Sequence, residues 1–445
     1  MMRPFVESVE GDASLPGEVD LAIIGGGIIG CAAAFWAAEQ GFRVVLIEKG
    51  RIAGEQSSRN WGWVRRMGRD AAEYPLGIES LRIWDTLKQR TGHDTGFRRT
   101  GIVYTAQTDA EMTWIESVAQ DAETFGIGAR RLNGAQLQEH FPGGTVPARA
   151  GLLTADDGRA EPALAAPALA KGARAKGAAI LTNCAVRDIE TMGGRVSAVL
   201  TERGRIRCGA AILAGGAWSR LFLGNLGVSL PQLRVRGSVM RTEPLEGGPK
   251  YALGNGQFGI RPRLDGGYTI SRRGRAKVQI TPDSFRLLPH FMKSLKEHRG
   301  EVSLTLDRGL WDGLVTPRRW SADSITPFEK CRVLDPEPQH AMLDEALRAV
   351  TKVFPVFKDA KIAEKWGGII DVTPDAVPVI DHTAQIPGLV IATGFSGHGF
   401  GLGPAAGQLA AEIALNQPLM VDPTPFRLSR FGALAGAAPA AAAAE

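Results

Sequence analysis

Three glycines spaced G-x-G-x-x-G, Gly25, Gly27 and Gly30, lie between an apolar run and an alanine-rich one in VDLAIIGGGIIGCAAAFWAAEQGFRVVLIEKG, which starts at Val19. The pattern reads as strand, tight turn, helix ended by Gly41, and second strand: a βαβ unit. Gly25 permits the turn, Gly27 lets a pyrophosphate approach bare backbone, and Gly30 lets helix and strand pack closely. Ile28 and Ile29 open the helix, whose N-terminal amides and partial positive charge face that anion. Glu48 ends the second strand 18 residues past Gly30, where a carboxylate accepts from ribose hydroxyls and repels a 2′-phosphate; Lys49 follows it. A Rossmann-like dinucleotide domain is expected, with NAD and FAD both open.

Charge and cysteine usage narrow the partners. The chain has 445 residues and a net charge of +5, but 52 basic residues face 47 acidic ones without a long basic run, which argues against nucleic acid. The arginines gather locally, as suits small carboxylates. Cys31, Cys184, Cys208 and Cys331 are scattered without metal-ligand spacing, so no metal is expected and a reducing compartment is. The first residues, MMRPFVESVEGDASLPGE, lack an apolar signal core, and no apolar stretch approaches the length of a membrane span. A cytoplasmic protein is expected.

Residues 1–17 read as a flexible N-terminus. Segments 78–90 and 109–125 have helical periodicity, TGIVYTA reads as a strand, and RVSAVLTERGRIRCGAAILAGGAWS reads as a hairpin returning into a buried strand. The pattern predicts an α/β fold in which a discontinuous nucleotide domain (18–100, 150–230 and 366–430) interleaves with an α+β substrate domain on a mixed or antiparallel sheet (101–149 and 231–365). A Pro- and Arg-rich insertion is expected at about 275–340, and an Ala-rich tail at 431–445. No internal repeat is found.

Four segments together carry a family resemblance: IIGGGIIG…LIEKG, then SSRNWGWV from Ser57, AAILAGGAWS, and TPDAVPVIDHTAQIPGLVIATGFSGHGFGLGPAAGQ. They resemble the D-amino-acid oxidase superfamily of flavoproteins, in its glycine oxidase and sarcosine oxidase branch. The resemblance implies FAD and the oxidation of an amine beside a carboxylate, by hydride transfer to the flavin and hydrolysis of the resulting imine. Oxygen, reduced to peroxide, or an electron-acceptor protein would take the electrons. N-substituted glycines such as sarcosine, or iminodiacetate, are the sharper expectation.

On this resemblance Ser57, Ser58, Arg59 and Asn60 lie along the flavin, and Trp61 and Gly62 continue past its ring. Val186 lies beside adenine, and Ala214, Gly215, Gly216 and Trp218 line the cofactor. Gly397, His398, Gly399, Phe400 and Gly401 precede a helix whose amides face the pyrimidine end of the flavin, which gains negative charge on reduction. His398 is a base or part of the turn, and Trp61 and Trp63 shield the site or belong to the core. Arg66 falls on the family's carboxylate-binding arginine, with surface exposure as its alternative. Arg261, which shares a strand face with Arg263, is the second cation expected near the flavin, with Arg272, Arg273, Arg318 and Arg319 as further candidates. Three departures matter. Gly368 stands where the sarcosine oxidases attach flavin through cysteine, so non-covalent FAD is expected. Gly401 replaces a substrate-contacting lysine, and Thr269 stands where a lysine assists oxygen activation, which leaves a dehydrogenase open. A non-catalytic flavin-binding subunit is the third possibility.

Overall fold

A computed structural model describes residues 4–274, 276–297, 302–306 and 308–435. The βαβ unit forms as expected, from β1 (Glu18–Ile24), α1 (Ile28–Glu39) and β2 (Val44–Ile47). β1 lies parallel to β2 on one side and to the strand Gly204–Leu213 on the other, inside an eight-stranded sheet. All four residues of β2 are buried, the continuous apolar run that a strand covered on both faces requires. One face packs against α1 and the helices Ala165–Ala175 and Gly399–Ala414; the other holds Trp218, Phe222 and Leu223. Arg195–Thr201 and Gly204–Leu213 form the expected hairpin. The final strand of the sheet, Leu389–Thr393, returns parallel to Gly204–Leu213 from the far end of the chain.

A ten-stranded mixed sheet carries the second layer, with Leu233–Thr242 paired along its length to Ile362–Val372. Two expected boundaries fall inside this sheet. The strand Ala150–Thr154 pairs with Ile102–Ala106, so residues from 150 belong to the second layer, and the strand through 366 continues in it to Val372. Continuous ladders leave no chain break where composition suggested one. The N-terminus also differs from expectation. Among residues 4–17, Val6 is buried, Asp12 N–H donates to Ile180 O, and the Asp12 carboxylate accepts from Ile180 N–H at 2.7 Å.

The expected insertion contributes the helices Pro282–Arg286, Leu288–Glu297 and Arg308–Val315, and two short strands, Ala276–Gln279 and Val302–Thr305, at the edge of the ten-stranded sheet. Arg275, 298–301 and 307 of that segment, and 436–445 of the expected tail, lie outside the described residues. Among the described residues no helix is long and apolar enough to cross a membrane.

Candidate functional site: two clefts with one shared wall

The first cleft, about 1260 Å³, runs over the C-terminal ends of β1 and β2, where ligands of open α/β sheets bind. Gly25, Gly27, Ile28, Ile29, Glu48, Lys49, Ser57, Asn60, Val186, Ala214, Gly215, Gly216, Trp218, Gly397, Gly399 and Phe400 line it. Gly25 has φ +114°, and a Cβ there would stand 2.4 Å from Ala214 O. A Cβ on Gly30 would meet Gly25 O at 2.0 Å, so this residue shapes the turn from behind and lines neither cleft. The Ser57 hydroxyl accepts from Ile28 N–H at 2.9 Å and caps the start of α1. Glu48 accepts from Gly26 N–H and Gly50 N–H, both at 2.7 Å, which leaves lone pairs on both oxygens for a ribose. Burial raises its pKa, opposed by Lys49 and these two amides.

The wall opposite has two features that no motif signalled. Lys49 and Arg234 lie over the Trp218 ring, 4.5 and 4.8 Å from its centre, and Glu55 accepts from Trp218 Nε1 at 2.9 Å and from Lys49 Nζ at 2.6 Å. Gln56 Oε1 is buried without a partner on the wall that this cleft shares with the second. A glycine-lined cradle, a ribose-accepting carboxylate and an unmet acceptor near the far end suit a long dinucleotide. Gly368 lines neither cleft, and a Cβ there would stand 2.3 Å from Gln56 Oε1.

The second cleft, about 1560 Å³, shares Gln56, Asn60, Ile370, Gly397 and Phe400 with the first. Arg59, Trp61, Gly62, Trp63, Tyr104, His398 and Gly401 line it. Among the described residues its lining holds six arginines (Arg59, Arg65, Arg69, Arg236, Arg272, Arg273) and no carboxylate. Trp61 is half-buried and Trp63 is buried in the core with Tyr104, and both line the cleft. Ser58 is buried, donates to Glu55 O at 3.1 Å and lines neither cleft.

Two expected arginines are turned elsewhere. Arg66 Nε donates to Asp157 Oδ1 at 2.9 Å and Arg66 N–H to Asp157 Oδ2 at 3.1 Å, and Arg66 lines neither cleft. Burial raises the pKa of Asp157 and Arg66 opposes this, so the partner that captures Arg66 is a fully buried carboxylate. Arg261 is buried beneath the Trp61–Gly62 peptide, donates to Trp61 O and meets Glu161 through both Nη atoms at 3.0 and 3.1 Å. It shapes the loop and does not line a cleft. Arg318 is likewise taken, by Asp283 at 2.7 Å, and Arg319 donates to Asn225 O. Arg272 and Arg273 do line the second cleft, Arg273 over the rings of Tyr104 and Trp114.

Arg65 and Arg69 sit in the cleft instead. Arg65 Nη1 donates to Met67 O and Gly68 O, and Arg69 Nε and Nη2 to Arg65 O; among the described residues neither forms an ion pair with a carboxylate. Arg69 Nη1 is buried and has no partner. Burial pushes the Arg69 guanidinium down to about 10 and neighbouring Arg65 adds to this, a strain on the charged form that a bound anion would relieve. His398 caps the helix Gly399–Ala414 and its Nδ1 meets buried Glu73 at 2.8 Å.

The sequence pattern of the DAO family of FAD-dependent oxidoreductases matches residues 20–413. The protein belongs to that family. This DAO-family chain is 26% identical over 430 residues to the sarcosine oxidase subunit beta of Arthrobacter sp, covering 93% of this chain and 91% of the relative. It is 25% identical over 427 residues to the N-methyl-L-tryptophan oxidase of Salmonella arizonae, covering 93% and 99%. Its fold superimposes on the L-amino acid deaminase of Proteus myxofaciens, solved in complex with anthranilate, with a TM-score of 0.92 and 33% identity over 97% of this chain and 100% of that one. The chain is an FAD-dependent oxidoreductase.

Proposed function

We propose that this enzyme binds FAD non-covalently in the first cleft and oxidises a carboxylate-bearing amine, an amino acid or N-substituted glycine, in the second. One observation carries the reading: a cleft lined by six arginines and no carboxylate among the described residues shares a wall with the cofactor cleft. Arg65 and Arg69 hold the substrate carboxylate, because among the described residues neither forms an ion pair and a carboxylate supplies the acceptor that Arg69 Nη1 lacks. FAD, when bound, accepts a hydride from the carbon bearing the amine. Glu48 and the glycine turn hold its ribose and pyrophosphate, and Gly397 to Phe400 present a helix N-terminus to its ring system. Arg261 acts by fixing Trp61 at the mouth of the cleft. Oxygen is the proposed electron acceptor, and Cys31, Cys184 and Cys208, buried and outside any disulfide, suit the cytoplasm.

The anaerobic addition of sarcosine, glycine, iminodiacetate, proline, and D- and L-amino acids tests this reading. At least one is expected to bleach the yellow flavin, with colour and hydrogen peroxide returning in air; no bleaching by any of them overturns it. A second reading, a dehydrogenase serving a partner acceptor, is favoured by the insertion. Phe285, Leu288, Leu304, Leu306, Trp311 and Leu314 are all exposed there, a concentration of apolar side chains that a partner would cover. That reading predicts bleaching with slow recovery in air.

A further inference from the structure

The second cleft has a feature that the arginines do not explain: an imidazole in its lining, His398, backed by a buried carboxylate, Glu73, with Arg65 and Arg69 close by. His398 stands at the N-cap of the helix Gly399–Ala414, directly after Gly397 on the wall shared by the two clefts. Its Nδ1 lies 2.8 and 3.1 Å from the two Glu73 oxygens. A carboxylate only accepts, so Nδ1 carries the proton and Nε2 keeps its lone pair. The Glu73 side chain is wholly inaccessible, whereas 19% of the His398 side chain remains accessible in a cleft that it lines. Nδ1 being taken, Nε2 is the ring nitrogen left for whatever occupies that cleft.

The surroundings hold the pair in this form. Burial depresses the basicity of the His398 ring; Glu73 opposes this, and Arg69 and Arg65 add to it. Burial works to raise the Glu73 carboxyl, but His398, Arg69 and Arg65 outweigh it and keep it ionised. The helix N-terminus under His398 also disfavours a resting imidazolium. The support is rigid: Ser80 Oγ and Trp84 Nε1, from the helix Tyr74–Thr91 that Glu73 precedes, both donate to Gly401 O, at 2.6 and 3.0 Å. The elements bearing Glu73 and His398 are thus clamped together at Gly401.

The chemistry of the cleft needs such a group. At neutral pH the amine of an amino acid is an ammonium ion, and no hydride leaves its α-carbon until the nitrogen lone pair is free. We infer that Glu73 and His398 form a proton-accepting dyad for the substrate ammonium, with His398 as the catalytic base and Glu73 as the residue that orients it. The inference rests on the reading of the second cleft as the site of amine oxidation. His398 Nε2 takes one N–H proton, giving an imidazolium held by Glu73. The freed lone pair then forms the C=N bond as the α-hydrogen departs with its two electrons to FAD, the oxidant. The product is an iminium, which water converts to the oxo acid and an ammonium or alkylammonium ion. Arg65 and Arg69 fix the carboxylate end, so one substrate meets cation and base at its two polar groups.

The test is stopped-flow flavin reduction across pH in the holoenzyme, with L-phenylalanine, sarcosine and N-methyl-L-tryptophan as probes, for wild type, His398→Asn and Glu73→Gln. Asparagine keeps a donor towards Glu73 but takes no proton. At pH 7 His398→Asn is expected to lower the reduction rate about 100-fold or more, the ordinary worth of a positioned base. The deficit should shrink towards nothing as the pH rises through the ionisation of the free amine, because neutral substrate needs no base. Glu73→Gln should lower the rate about 10-fold, with the wild-type limb displaced on the pH axis. FAD content and the binding of benzoate, a carboxylate without an amine, should be unchanged in both. An equal deficit at every pH, no deficit, or loss of benzoate binding overturns the dyad while leaving amine oxidation standing. If no amine of the wider screen, these probes included, reduces the wild-type flavin, the parent reading falls and the dyad with it.

Discussion

The two clefts meet at one wall and are built in opposite ways. The first cleft is built around main chain: a turn in which side chains are excluded by contacts as short as 2.0 Å, and a carboxylate clamped by two amides. The substrate cleft is made of long side chains, mostly arginines and aromatics, brought from the SSRNWGWVRR segment, the ten-stranded sheet and the turn before the last long helix. Backbone sites are dictated by where glycine must stand. Side-chain sites depend on which way each residue turns, and a partner far away in sequence decides that.

The sharpest way to break this contrast is to exchange the roles of neighbouring arginines. Arg66→Ala should strip the partner from buried Asp157 and cost about 3–5 kcal/mol of stability, measured by denaturant unfolding, while the substrate Kd of the folded fraction stays unchanged. Arg69→Gln should do the reverse. Losing a hydrogen-bonded charge costs about 1.5–3 kcal/mol of substrate binding, ~10- to 150-fold in Kd from flavin-reduction kinetics, with little change in unfolding. Behind the turn of the first cleft, Gly30→Ala places a methyl against Gly25 O and should cost about 1–3 kcal/mol, seen as FAD released on gel filtration.

A smaller effect should appear in acid. Phe328 lines the cofactor cleft, and its neighbour Glu329 meets Arg187, beside Val186, at 3.0 and 2.8 Å. Burial works to raise the Glu329 pKa, but Arg187 and Thr326 hold it down to about 2. A depressed carboxyl stabilises the fold above its unfolded pKa, and this contribution fades as the pH falls from the ordinary carboxyl range towards about 2. FAD retention should therefore weaken over that window in wild type. In Glu329→Gln retention should be slightly weaker at neutral pH and flatter across the window, as flavin fluorescence would report.

The same contrast governs what could be read in the chain beforehand. The βαβ unit, the hairpin into Gly204–Leu213 and the glycine turn that lines the first cleft were legible because close backbone approach and strand periodicity leave few alternatives. The choice among Arg65, Arg66 and Arg69 was not. They follow a two-residue strand; Arg66 is drawn by Asp157, 91 positions on, whose acidic partner role no spacing announces, while Arg65 and Arg69 are held by main-chain carbonyls. Arg261 was expected near the flavin, yet Glu161, 100 positions away, draws it beneath Trp61. Glu73 and Gln56 gave no signal at all, since a lone carboxyl before a helix and a lone amide after a turn are ordinary surface residues in sequence. The domain borders at 150 and 366 failed for a related reason: ladder pairing joins segments whose composition differs.

The central claim is that Arg65 and Arg69 present the second cleft to a carboxylate beside the flavin. Anaerobic flavin reduction by an amine that bleaches the protein, compared with the same amine carrying a carboxamide in place of its carboxylate, tests it most directly. The wild type should bind the carboxamide at least ~10-fold more weakly, and Arg69→Gln should lose most of that discrimination. Equal binding of both by the wild type would contradict the account.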